Sequence, residues 1–158
     1  MRPRQNNFSQ QGLLAYALRL LAARSYSEKR MREKLSLKGE SELVQKTIEK
    51  LYQLKLLNDR EFAENFVSSQ RRMKPVSNTA LMFKLRQKGV RPEDAAGLLG
   101  EDEEGACISL LSKNSRKWDG IAPKLAQQKA KMFLARKGFK ISAINKAVSA
   151  HFLAKSID

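Results

Sequence analysis

Three short stretches decide how this chain is read: KLSLKG at Lys34–Gly39, KLRQKG at Lys84–Gly89, and the looser FLARKG at Phe133–Gly138. They lie 50 and 49 residues apart. Repetition at a fixed period of this size reports a row of similar supersecondary units. Each phrase ends in Lys-Gly. Glycine just past a helix can adopt the left-handed conformation, and a cation in the last turn complements the helix dipole. Each copy therefore reads as the close of a helix, with ligand contact by Lys38, Lys88 or Lys137 equally open.

Upstream of Gly39, Met31 and Leu35 lie four apart, with Ser27 placed as an N-cap. Leu81 and Leu85 behind Ser77 repeat the arrangement before Gly89. In the third copy Leu125, Met132 and Phe133 supply the apolar stripe, and Pro123 suits a first turn. A second helix follows each glycine: Val44, Ile48 and Leu51 after Ser41; Ala95, Leu98 and Leu99 after Pro92; Ile144, Ala147 and Val148 after Ser142. Another helix precedes each pair, carried by Leu14, Ala17 and Leu21, by Phe62, Ala63 and Val67, and by Cys107, Ile108 and Leu111. The pattern predicts nine helices in three groups of three and no strands.

The expected fold class is all-α: three tandem three-helix repeats stacked into an elongated array, because units this small bury their faces against neighbours. The boundaries are a flexible N-terminal segment 1–12, repeats 13–57, 58–100 and 101–153, and a tail 154–158.

Arg and Lys number 31 against 16 acidic residues, a net charge of +15. The excess is +7, +3 and +5 over residues 1–57, 58–100 and 101–158, so it belongs to every repeat. A charge of this size calls for a polyanionic partner. A surface meeting single-stranded nucleic acid through about five phosphates would show a log–log salt slope of roughly −3.5. The same surface could meet an acidic protein groove. Most aromatic residues sit on apolar faces, and sequence-specific readout is not suggested.

The chain offers little to an enzyme. His151 is the one histidine and Cys107 the one cysteine, which leaves no zinc-ligand cluster. No P-loop, dinucleotide fingerprint or nucleophile elbow occurs. Asp59 reads as an N-cap with Glu61 in the first turn, and Glu101 to Glu104 as dipole-matched charge. No cofactor and no catalysis are expected. The absence of a long apolar run points to no membrane span, and a cytoplasmic monomer is the expectation.

The repeated phrase, together with SYSEKRMREKL (Ser25–Leu35), LLNDREFAENFVSSQRR (Leu56–Arg72), KLRQKG and KAKMFLARKGF (Lys129–Phe139), resembles the RecX family over about Leu13 to Phe152. The resemblance implies a curved array of three helical repeats that binds RecA recombinase filaments on single-stranded DNA. It also implies that ATP hydrolysis, filament growth and strand exchange are lowered, modulating homologous recombination and DNA repair. The alternative is a helical module that binds DNA without sequence preference, double-stranded DNA included, and acts by competition. At Lys74-Pro75-Val76-Ser77-Asn78-Thr79 the chain departs from the Gly-Pro and Arg-rich start common in that family. The candidate contacts are bases near repeat junctions: Arg24, Arg30, Arg32, Lys34 and Lys38; Arg71, Arg72, Lys74, Lys84, Arg86 and Lys88; Lys131, Arg136 and Lys137.

Overall fold

The computed structural model describes residues 7–100 and 102–155. Among the described residues eight α-helices follow one another: α1 (Gln10–Ala23), α2 (Glu28–Ser36), α3 (Ser41–Gln53), α4 (Asp59–Met73), α5 (Asn78–Gln87), α6 (Glu104–Lys113), α7 (Pro123–Arg136) and α8 (Ile141–Ala154). A single 3₁₀ turn, Ser115–Trp118, precedes α7. The described residues contain no strand, and the all-α fold of helical repeats is as the sequence predicts.

The ninth predicted helix is absent. After Pro92 the chain makes hydrogen-bonded turns, with Asp94 and Ala95 donating to the Arg91 carbonyl and Ala96 to that of Glu93. Gly97 and Gly100 have φ of 75° and 65°, which a helix cannot hold, so the segment is cut before a second turn forms. Ala95 still reaches the interior at 1% exposure. The helix-like spacing of apolar residues was right about the burial of Ala95 and wrong about conformation, and Leu98 and Leu99 are only partly buried.

The start of the chain also differs from expectation. Helix α1 reaches back to Gln10 because Ser9 caps it, its Oγ accepting from the Gly12 amide at 3.2 Å. Residues 10–12 are thus helical, while 1–6 of the expected flexible segment, 156–158 of the expected tail, and Glu101 of the acidic run lie outside the described residues.

The chain forms two compact units. Among the described residues, one comprises 7–66 and 85–96, the other 67–84, 97–100 and 102–155, so the division falls within α4 and α5. In the first unit α3 packs on α1 and α2. The core there holds Leu13, Ala17, Met31, Leu35, Val44, Ile48 and Leu51. The second unit packs α8 against α6 and α7 around Cys107, Leu111, Trp118, Ala130, Leu134, Ile144 and Val148.

Each unit is tied by the same joint. Ser27, the N-cap of α2, accepts from the Arg30 amide and donates its hydroxyl proton to the Lys88 carbonyl past the end of α5, at 2.5 Å. Ser77 accepts from the Ala80 amide and donates to the Lys137 carbonyl past α7, at 2.6 Å. Both serines are buried. A carboxylate braces each joint: Asp59 Oδ1 accepts from the Glu28 amide at 2.8 Å, and Glu103 Oε1 from the Asn78 amide. Glu103 extends its other oxygen to the Lys140 amide at 3.1 Å, joining the starts of α5 and α8.

The role predicted for Asp59 is therefore corrected. Asn58 caps α4, its Oδ1 accepting from the Glu61 amide at 3.1 Å, and Asp59, the first helical residue, serves a different helix.

Candidate functional site

The first unit holds an open groove of about 570 Å³. One wall is a single face of α2 and its cap, Arg30, Glu33, Lys34 and Leu37, at the i, i+3, i+4, i+7 spacing that keeps side chains in one row. The other is Phe62 and Phe66 on α4, whose rings stack at 6.2 Å and 15°. Lys88 Nζ stands 5.3 Å from the Phe66 ring centroid, and Arg24 closes the end, its guanidinium 4.9 Å from the Tyr26 ring with Nε donating to the hydroxyl at 2.9 Å. Four cations thus face one carboxylate, and that one, Glu33, pairs with Arg30 at 2.9 Å. Lys34 has no ion pair or hydrogen bond among the described residues. Aromatic faces beside unpaired cations can take a stacked base and its phosphate together.

A second, larger cavity of about 960 Å³ in the same unit has the opposite character. Arg32 bonds Glu28 at 2.8 Å and Gln45 at 2.8 Å, the Tyr52 hydroxyl donates to Glu28 at 2.6 Å, and Arg91 pairs with Asp94 at 2.9 Å. The Arg32 guanidinium, then the Tyr52 hydroxyl, hold the Glu28 carboxyl below the usual range. Burial, then Glu28, push the Tyr52 phenol up. Desolvation raises Asp59. Charges here are already matched, so the cavity is a poor polyanion site, and Arg32 is spent on it.

In the second unit, Arg71, Arg72 and Lys74 lie with Lys113 around a notch of about 430 Å³ that also contains Asp102 and Glu103. Arg71 is committed: its Nη2 donates to Asn78 Oδ1 at 3.0 Å and to the Leu99 carbonyl. Lys84 donates to Gln70 at 2.7 Å. Arg72 and Lys74 are exposed and unpaired among the described residues.

The sequence-predicted bases are therefore not one patch. The groove gathers Arg24, Arg30, Lys34 and Lys88. Lys38 lies with its Nζ 5.8 Å from the Phe8 ring, and Lys137 stands 5.8 Å from the ring of Phe133. Arg86, Lys131 and Arg136 are exposed without partners among the described residues. Sequence reasoning missed Phe62 and Phe66 as groove residues, since their helical spacing is that of a core stripe; both are only partly buried.

Burial, followed by Glu103, pushes the Cys107 thiol up to about 12, and the described residues hold no cluster able to bind a metal. No helix of the described residues is long and apolar enough to cross a membrane.

Residues 14–51 match the family model for the RecX first three-helix domain, and 58–99 that for the RecX second three-helix domain. Regulatory protein RecX of Chlorobium limicola is 33% identical over 141 residues, covering 87% of this chain and 88% of the relative. That of Amycolatopsis mediterranei is 38% identical over 125 residues, 76% and 71% of the two chains. The crystal structure of RecX from Lactobacillus salivarius aligns with a TM-score of 0.84 at 23% identity, covering 91% of this chain and 97% of that one, a likeness of fold.

Proposed function

The chain belongs to the RecX family of regulatory proteins, and from that premise we propose that it binds RecA recombinase filaments on single-stranded DNA and restrains them. It acts by inserting along the filament or capping it, so that ATP hydrolysis, growth and strand exchange fall. The observation that supports this reading is the groove of the first unit, where Arg24, Arg30, Lys34 and Lys88 surround two stacked phenylalanines and only Glu33 opposes them. Such a groove accepts a phosphate with a base against an aromatic face, each stacked base contributing about 1–3 kcal/mol. A filament presents nucleic acid beside protein, and the bases outside the groove are available to the second of these.

The test is the ATP hydrolysis rate of preformed RecA filaments as the protein is titrated in, with DNA in excess and salt at physiological strength. Inhibition well below one copy per recombinase subunit is expected. Inhibition only when the protein suffices to coat the DNA would instead support competition for DNA. The variant Arg24→Gln/Lys34→Gln/Lys88→Gln should need about tenfold more protein for the same inhibition at unchanged helical content, in line with the loss of a few charge contacts.

A further inference from the structure

Helix α7 has two apolar faces, and one of them is bare. Successive helical residues turn by about 100°, which stacks Ala126, Ala130 and Leu134 on the inner face, all buried. Leu125 and Met132, seven apart, point the other way and are 46% and 60% exposed. This strip has walls. Lys124 and Lys131 flank it on one side, Lys129 and Arg136 on the other, each pair again seven apart. All four are exposed, and none has an ion pair or hydrogen bond among the described residues. No Asp or Glu occurs between Gly120 and Ile157, so nothing in that stretch of the chain neutralises them.

Two exposed apolar residues seven apart between rows of like charge form a short strip suited to a partner helix, the flanking charges choosing the partner. Its complement carries apolar residues on one stripe and carboxylates on both shoulders. We propose that the outer face of α7 docks an acidic amphipathic helix of a partner protein. Nucleic acid is the poorer occupant: phosphates would meet the cations, but the Leu125–Met132 strip would lie against a charged backbone and gain nothing from burial. A second copy of the same face is poorer still, since it would set lysine and arginine rows against each other.

The test uses the full chain and a labelled synthetic peptide of about three heptads with Leu at the seam positions and Glu on both shoulders, whose own carboxylates keep it from self-pairing. Fluorescence anisotropy should show saturable binding, with peptide helicity rising on mixing. Leu125→Gln/Met132→Gln, both at exposed positions, should weaken that affinity about tenfold, as should Lys129→Gln/Arg136→Gln. A single-stranded oligonucleotide should bind the Leu125→Gln/Met132→Gln variant as it binds the wild type. The proposal is overturned if the peptide binds no tighter than polyglutamate of equal charge, if Leu125→Gln/Met132→Gln leaves its affinity unchanged, or if that variant loses the oligonucleotide instead.

Discussion

Asp59 shows how one side chain can be misread from sequence and still be important. An acid after Asn58 looks like a cap for its own helix, but its carboxylate accepts from the Glu28 amide, thirty-one residues earlier in the chain. Its pKa is raised, mainly by burial, so the folded state holds this proton to higher pH than the unfolded chain does. Stability from this group is present in acid and is lost as pH rises through the window just above the ordinary aspartate range. Glu28 has the opposite sign: its carboxyl is held low by Arg32 and Tyr52, and its contribution is lost as pH falls. The two slopes oppose each other. Asp59→Asn keeps an acceptor for the amide but removes one slope, so the variant should lose stability on acidification more steeply than wild type. Urea midpoints over a pH series check this, and parallel curves would refute it. Gly39 teaches a similar lesson. Unlike Gly89 and Gly138, at φ 80° and 86°, it is not among the residues of positive φ. What excludes a side chain is Leu13, whose Cδ1 would lie 2.6 Å from an added Cβ, a contact across the fold that no local pattern reveals.

At the scale of helices, sequence periodicity located α1–α5 well and chose the wrong face of α7. Leu125 and Met132 are the larger apolar residues, and hydrophobicity alone points them inward. The helix instead buries Ala126 and Ala130, because small residues let α8 approach closely, where Ala143 and Ala147 are buried too. Phe133 bridges the faces: its ring meets Trp118 at 5.8 Å, with Lys117 Nζ 4.7 Å from its centroid. Two substitutions separate these roles. Ala130→Leu, at a position with no exposure, should cost about 1–3 kcal/mol by overpacking, whereas Met132→Ala should stay within about 0.5 kcal/mol. Chemical denaturation measures both, and equal costs would put the core on the wrong side of the helix. The lost third helix of the middle repeat has a related cause: Gly97 and Gly100, soon after Gly89, were legible as punctuation, but the apolar spacing of Ala95, Leu98 and Leu99 outweighed them.

For the molecule as a whole, the repeat was legible and its joint was not. The 50-residue spacing announced equivalent helices and placed Ser27 and Ser77 at their caps, yet nothing local says that a cap hydroxyl also reaches a carbonyl 61 or 60 residues away. Each serine thus does two things, accepting from its own helix and donating to the next repeat. Ser27→Ala or Ser77→Ala should therefore cost about 2–3 kcal/mol, the sum of a lost cap and a buried carbonyl left unpaired. Ser9→Ala, which removes a cap alone, should cost about 1 kcal/mol. Urea unfolding of the three variants decides, and a Ser9 change as large as the others would deny the joint any special role. The basic residues were less legible, because a count of charge does not distinguish Arg32, tied into its own unit, from Lys34, which faces solvent.

The joint takes a different form at the two remaining equivalent positions. The Lys38 carbonyl, counterpart of those of Lys88 and Lys137, accepts from the Phe8 amide at 2.7 Å, so its place in the pattern is filled from the N-terminal side. At the other end, the helix corresponding to α2 and α5 begins at Ala122 and Pro123 with no side-chain cap, so no hydroxyl reaches onward. A tandem duplication of the middle fifty residues would carry its own serine and its own receiving carbonyl, and could be spliced into the gene without new bonds having to be invented. In this chain, a copied middle repeat would bring its own joint with it.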